Sequence, residues 1–487
     1  MPTSHHVLEL SVLTLLGACA GATGSESANA YADAHLLPMA TPCSDSMDSV
    51  YEVPSNLPPF TATRRGDVVR CAPDRRFSVE QVEARLAADG FRDAEVRSAI
   101  RVYRVTYRTE RLAGQEGLTS ALLLLPDVPL TTAPPVIVFA HGLEGIDPAC
   151  TVSRGDWTAA PYHRVGSMLA LASYGYPVIA PDYAGFMPGS TPGGVSLAED
   201  EAHSVLDGTR AMAKLLEPGA TSDHVVLVGH SQGGHAVLSA QALAGSYGLR
   251  GRLRGVVAFA SGWYPLKAAG LVIARDIGNN TTDDAGALRL AMTYFYTHAE
   301  LYDGPGSGLA LFQPSKRALV AADLGACPST QSATLEALGN TASDFFEPAF
   351  VDSVGACALG DQAACAAEPA ATWVPRFRAD RPRLDAQGAD ILMWQGAEDQ
   401  ALPPELTQCG IDKINADFAA PDATASFTLC GDRSAGHETI LSQNMSWTAQ
   451  WIAWKTSNGP APSACAGHSE LLPQSGALTC LLPDNSD

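Results

Sequence analysis

The 487-residue sequence predicts an α/β fold in which a mostly parallel central sheet is flanked by helices and interrupted by a helical insertion. Three observations lead there. Short continuous apolar runs recur at Pro135-Val-Ile-Val-Phe-Ala-His-Gly, Pro177-Val-Ile-Ala-Pro-Asp-Tyr, Val225-Val-Leu-Val-Gly, Gly255-Val-Val-Ala-Phe-Ala and Ile391-Leu-Met-Trp-Gln-Gly. Runs of this kind mark strands buried on both faces, hence parallel pairing. Helical stretches separate most of them, as parallel crossovers require. The gap between the runs at 255–260 and 391–396 is far longer than a crossover needs. Residues 266–385, with Tyr294-Phe295-Tyr296, Phe345-Phe346 and three cysteines, therefore read as an inserted cap or lid.

The elements follow in chain order. Residues 7–19 form an apolar run too brief to span a bilayer, which suits the core of a signal peptide. It ends in Leu16-Gly17-Ala18-Cys19, which resembles the bacterial lipobox, and that resemblance implies a diacylglycerol on Cys19. One departure is that the first six residues carry no Lys or Arg, only His5 and His6. Residues 20–59, rich in Ala, Ser, Asp and Pro and without period, suit a flexible tether. The body is expected over 60–265 and 386–455. Ser78 can cap a helix over 79–97, and the runs at 102–109 and 118–126 read as antiparallel strands joined around Gly114 and Gly117. Residues 456–487 form a tail bearing Cys465 and Cys480.

Composition narrows the function classes. Hydrophobic residues at 46% and charged residues at 17% are those of a globular chain. A net charge of −21 repels phosphate backbones and disfavours nucleic acid as a partner. Of eleven cysteines, ten remain if Cys19 is acylated: 43, 71, 150, 327, 357, 365, 409, 430, 465 and 480. An even set in an exported chain favours disulfides, and no pair has the C-x2-C spacing of tight zinc sites, so no metal is expected. Proximity in the chain suggests Cys357–Cys365, Cys409–Cys430 and Cys465–Cys480.

The stretch that carries chemistry is Gly229-His230-Ser231-Gln232-Gly233-Gly234, set between the apolar run at 225–228 and an Ala-rich helical pattern at 235–246. A G-x-S-x-G pentapeptide alone arises readily by chance. Between a buried strand and a helix it becomes a nucleophile elbow, a turn too sharp for side chains beside the serine. Ser231 is thus the candidate nucleophile rather than a helix cap. In the order that accompanies such an elbow, the acid follows a later strand and the histidine comes last. Beyond the 391–396 run only His437 and His468 are available. His437, between an apolar run and a helix, is the candidate base, since imidazole exchanges protons near neutral pH; His468 falls in the tail between two cysteines. Glu398 and Asp399 both lie just past the strand end, and Asp399 is preferred, with Glu398 as the alternative. Asp182 lies too early and reads as a structural carboxylate. The oxyanion donors are expected to be the backbone N–H groups of Gln232 and of Leu143. Leu143 lies in the loop His141-Gly142-Leu143-Glu144-Gly145, which resembles the H-G-x loop of many lipases and in which His141 reads as structural.

On these residues, together with Arg65-Gly-Asp-Val-Val-Arg, Tyr103-Arg-Val-Thr-Tyr-Arg-Thr, Ala180-Pro-Asp-Tyr-Ala-Gly, Gln395-Gly-Ala-Glu-Asp and Gly436-His437, the chain looks like an α/β-hydrolase. Over about 60–455 it is similar to the secretory lipase (fungal lipase A-like) group. The resemblance implies an α/β-hydrolase fold with a cap before the strand that bears the acid. It also implies hydrolysis of acylglycerols or simpler esters through an acyl-enzyme, without a cofactor. The expectation is therefore an exported serine esterase or lipase, either secreted or a cell-surface or outer-membrane lipoprotein held by a Cys19 lipid anchor, acting on a small-molecule or lipid ester. A serine peptidase of the same fold and a non-catalytic cell-surface binding protein are the alternatives.

Overall fold

The computed structural model describes residues 36–128, 132–155, 157, 163–262, 272–273, 282–327, 337–339, 341–457 and 459–465. Nine strands form one sheet: β1 (Val68–Phe77), β2 (Ala99–Glu110), β3 (Glu116–Asp127), β4 (Val136–Ala140), β5 (Val178–Pro181), β6 (His224–His230), β7 (Arg252–Phe259), β8 (Asp390–Gly396) and β9 (Phe427–Asp432). Their spatial order is β1-β2-β3-β5-β4-β6-β7-β8-β9. The pairs β1/β2, β2/β3 and β3/β5 are antiparallel, and every pair from β5/β4 to β8/β9 is parallel.

The apolar runs become β4 to β8 because both faces of each are covered. In β6, Val226 and Val228 pack into one core with α2 (His163–Ser173) and α10 (Thr439–Ser457), while Val225 and Leu227 pack on the other face. There they meet α3 (Ala198–Leu215) and α4 (Gln232–Tyr247). Each such valine or leucine contributes about 1.5–3 kcal/mol by leaving water, so polar alternation would be costly in either register.

The expected hairpin of β2 and β3 runs in register from Ala99↔Asp127 to Glu110↔Glu116. Ser78 caps α1 (Val79–Ala88) in a reciprocal box with Gln81, but the helix ends at Ala88, nine residues before the predicted end at 97. Gly90, at φ 84°, takes a left-handed turn that stops it. Strand β1 was hidden in the sequence by Pro73 and four charged side chains, which an edge strand tolerates.

The tether expected over 20–59 needs correction for its second part. Residues 36–59 lie on the body, with Leu37, Val50 and Tyr51 buried and Cys43 bonded to Cys71 of β1. Residues 20–35, like the lipobox with Cys19, lie outside the described residues.

Between β7 and β8, the helices α5 (Thr282–Tyr302), α6 (Arg317–Leu324), α7 (Pro348–Ala358) and α8 (Ala370–Ala379) enclose a core of their own. Phe295 makes edge-to-face contacts with Phe346, Phe350, Trp373 and Phe377. The chain after β8 runs through α9 (Pro404–Phe418) to β9. Among the described residues, no helix is long and apolar enough to cross a membrane.

Four disulfides join described residues: Cys43–Cys71, Cys150–Cys327, Cys357–Cys365 and Cys430–Cys465. Only Cys357–Cys365 was expected. The Cys430–Cys465 bond excludes both Cys409–Cys430 and Cys465–Cys480. The chain leaving α10 folds back along that helix, whose Trp447 donates to the Ser463 carbonyl at 3.0 Å, and Cys465 bonds to Cys430 of β9, so the nearest partner in space is not the nearest in sequence. The Cys409 side chain, Cys480 and His468 lie outside the described residues.

Candidate active site

Parallel pairing brings the C-terminal ends of β4, β6, β7, β8 and β9 to one edge, as the registers Ala140↔Gly229, Gly229↔Ala258, Phe259↔Trp394 and Gly396↔Asp432 show. The chain order reverses at β4, which has β5 on one side and β6 on the other, and crevices in such sheets open at that point.

Ser231 follows β6 at φ 57°, ψ −119°, a strained conformation for a residue with a Cβ. Its surroundings enforce it. The Ser231 N–H donates to the Phe259 carbonyl at 2.9 Å, and the Ser231 carbonyl accepts the N–H groups of Gly234, His235 and Gly262. Space enforces it too: a Cβ on Gly229 would collide with the Gly233 carbonyl, and one on Gly233 with the Ala140 carbonyl. The result puts the Ser231 Oγ 2.9 Å from His437 Nε2.

His437 sits in the loop between β9 and α10, and that loop is tied down at several points. Gly436 N–H donates to Thr439 Oγ1 at 2.8 Å, Glu398 N–H to the Ala435 carbonyl at 3.0 Å, and His230 Nε2 to the His437 carbonyl at 2.7 Å. Burial pushes the His230 imidazole down to about 3, which keeps it neutral at this contact. On the far side of His437, Nδ1 lies 2.9 and 3.1 Å from the two Asp399 oxygens. Asp399 is buried and also accepts the Leu402 N–H at 2.7 Å. Glu398 is exposed and does not meet the ring.

Of the residues expected as oxyanion donors, Gln232 follows Ser231 directly and Leu143 follows Gly142, which approaches the serine. Gln232 is the first residue of α4, so its N–H has no partner within the helix and lies at the positive end of the helix dipole. Gly142 approaches the serine from β4, since a Cβ there would lie 3.1 Å from Ser231 Cβ; Leu143 follows it and packs against the core between β7 and β8. His141 is buried, burial pushes it down to about 4, and its carbonyl accepts the Tyr183 hydroxyl at 2.7 Å. Asp182 is buried as well, accepts Ser120 Oγ at 2.6 Å and the Ser153 N–H at 2.9 Å, and is pushed up to about 6 by burial. Both residues lie under the site in positions that brace its loops.

Sequence reasoning missed Arg164 and its partners. At the start of α2, Arg164 pairs with Glu144 of the Gly142 loop and, at 2.6 Å, with Glu438 beside His437, so one guanidinium links two loops of the site. Burial pushes the Glu144 carboxyl up to about 7 against the pull of Arg164. A lone arginine in a helical stretch carries no motif, so no pattern could have singled it out. His230, Glu438 and His437 are the only described group with metal-ligand atoms close together, within 4.8 Å of one another. His437 is already engaged by Ser231 and Asp399, and Glu438 by Arg164.

Residues 164–261, which hold α2, β5, α3, β6, Ser231 and β7, match the profile of the family described as "Secretory lipase". Among solved structures, the chain is similar to lipase A of Candida antarctica in its closed state, at 17% identity and a TM-score of 0.58, covering 86% of this chain and 88% of that one. It is also similar to the rice cell-wall-degrading esterase LipA of Xanthomonas oryzae, at 18% identity and a TM-score of 0.57, covering 80% and 98%. No curated protein sequence matches the chain. At such identities the likeness is one of architecture, and the architecture is the α/β-hydrolase fold.

Proposed function

We propose that this chain, with its α/β-hydrolase fold and a segment of secretory-lipase type, is an exported serine carboxylic-ester hydrolase. It would act on acylglycerols or simpler acyl esters. The observation that carries the reading is the continuous hydrogen-bonded line from Ser231 Oγ through the His437 ring to Asp399. Ser231 Oγ attacks the ester carbonyl carbon as its proton passes to His437 Nε2. Asp399 accepts the Nδ1–H and steadies the imidazolium, while the oxyanion is held by the Gln232 and Leu143 N–H groups. His437 returns the proton to the departing alcohol oxygen, then takes one from water, which attacks the acyl carbon and releases the acid and Ser231.

The segment between β7 and β8 is the cap over this site; its core holds Leu143 and Ile146 of the Gly142 loop, and Cys327 ties it to Cys150. Export is supported by the disulfides, which persist in oxidising compartments, and by the apolar run ending at Cys19. A lipid on Cys19 would hold the enzyme at a membrane surface.

The test is hydrolysis of p-nitrophenyl acyl esters from two to sixteen carbons by the purified protein. Ester turnover by the free protein that is lost once a fluorophosphonate has labelled Ser231 supports the reading. Turnover confined to aminoacyl amides would make the chain a peptidase, and no turnover of either a binding protein.

A further inference from the structure

A line of buried polar side chains runs from Gln232, beside the nucleophile, into the segment between β7 and β8. Gln232 Nε2 donates to Glu201 Oε1 at 2.6 Å, and that oxygen also accepts the Ser196 N–H at 2.6 Å. The second Glu201 oxygen lies 3.1 Å from His235 Nδ1, and His235 Nε2 donates to the Asp380 carbonyl at 2.7 Å. The Asp380 carboxylate in turn meets the Tyr294 hydroxyl and His298 Nε2, each at 2.7 Å, and the Ala198 N–H at 3.2 Å. Gln232, Glu201, His235, Asp380, His298 and Tyr294 are all 6% exposed or less.

Packing alone does not account for this line. Well-packed apolar side chains of similar volume are commonly as stable as buried ion pairs. Burial alone would lower the His235 pKa, but its contacts with Glu201 and Asp380 raise it, while burial raises that of Glu201. What the line does is fix geometry. Glu201 holds Gln232 by its side chain, and it also holds Ser196, which has a left-handed φ of 57°. Through His235 it is bound to Asp380, where α8 ends.

We propose that Glu201 is a positioning residue: through the Gln232 side chain it fixes the backbone N–H that receives the oxyanion, and through His235 and Asp380 it makes that placement depend on the docked segment between β7 and β8. The inference rests on the reading of Ser231 as nucleophile. Binding of the ground-state ester does not use this N–H fully, so the effect belongs in kcat rather than KM.

The test compares full-length wild type with E201A, E201Q and Q232M on p-nitrophenyl butyrate, with kcat divided by the sites that a fluorophosphonate titrates. E201A and Q232M are expected to lose roughly tenfold or more in kcat per titrated site, as displaced oxyanion donors do. KM should stay within about twofold, and E201Q should recover most of the rate because its carbonyl oxygen still accepts Gln232 Nε2. A merely structural role lowers the titrated fraction and leaves kcat per site unchanged. That result in both E201A and Q232M overturns the proposal, as does a loss in E201A without one in Q232M. If E201A does not fold, Q232M reads the same link from its other end and decides alone. A wild type that neither hydrolyses esters nor takes up the probe fails the nucleophile reading and takes this inference with it. An active wild type with active variants sinks the positioning role alone.

Discussion

The Asp399 carboxylate lies within hydrogen-bond distance of His437 Nδ1, at 2.9 and 3.1 Å, whereas Glu398, one residue earlier, is exposed. The backbone past β8 decides between them. Glu398 N–H is bound to the Ala435 carbonyl, which leaves the next side chain to turn inward, and the Leu402 N–H then fixes it.

Asp399→Asn is therefore expected to reduce kcat by about four orders of magnitude, because an amide would hold the ring in the wrong tautomer. Glu398→Gln should change it by less than about twofold. Steady-state kinetics on one chromogenic ester is sufficient, and the reverse ranking would move the acid to Glu398.

Ser231→Ala should retain its secondary structure by circular dichroism and lose all but about one part in a thousand of ester turnover. Wild type should gain one fluorophosphonate adduct, found by mass spectrometry in the peptide that holds Ser231. An adduct on another serine would dismiss the nucleophile.

Much of this site was legible in the sequence because its chemistry is local. The elbow and the loop after β4 each occupy a few consecutive residues, the acid and the base each follow a strand end in a fixed chain order, and continuous apolar runs revealed the strands that present most of them. What escaped depends on contacts between distant segments. Glu201 and Arg164 look like any helix charge until α3 and α2 are packed, and β1 looks like a loop because an edge strand can keep its charges and Pro73. The predicted helix over 79–97 overshoots because Gly90, with a left-handed φ, ends α1 at Ala88.

Cysteine pairing shows the same limit. The structure expects a Cys430–Cys465 peptide in a non-reducing digest and none linking Cys409 to Cys430. Cys465→Ser should destabilise the protein by about 3–4 kcal/mol, the loop-closure entropy of a bond across 35 residues. An undiminished urea midpoint would show that the link contributes nothing.

Export should be visible independently of catalysis. In a bacterial host, wild-type protein should incorporate labelled palmitate and sediment with membranes, since a lipoprotein cysteine carries enough acyl chains to anchor it. Cys19→Ser should abolish the label. Unlabelled wild type recovered in the cytoplasm with free thiols would refute both anchor and export, and leave the hydrolase reading untouched.

His230 supplies a pH signature for the fold. Buried and neutral, it has its pKa pushed from 6.5 down to about 3, so the unfolded chain binds a proton there that the folded chain refuses. Its contribution is complete above 6.5 and is lost as the pH falls towards 3, at about 1.4 kcal/mol per pH unit while only the unfolded state is charged. His230→Gln keeps a donor for the His437 carbonyl and removes the titration. Urea unfolding between pH 7 and 4.5 should therefore show wild type losing stability more steeply than the variant, by about that slope below pH 6. Parallel curves for the two proteins would mean that His230 takes up its proton in the folded state, and that its grip on the His437 loop is not that of a neutral ring.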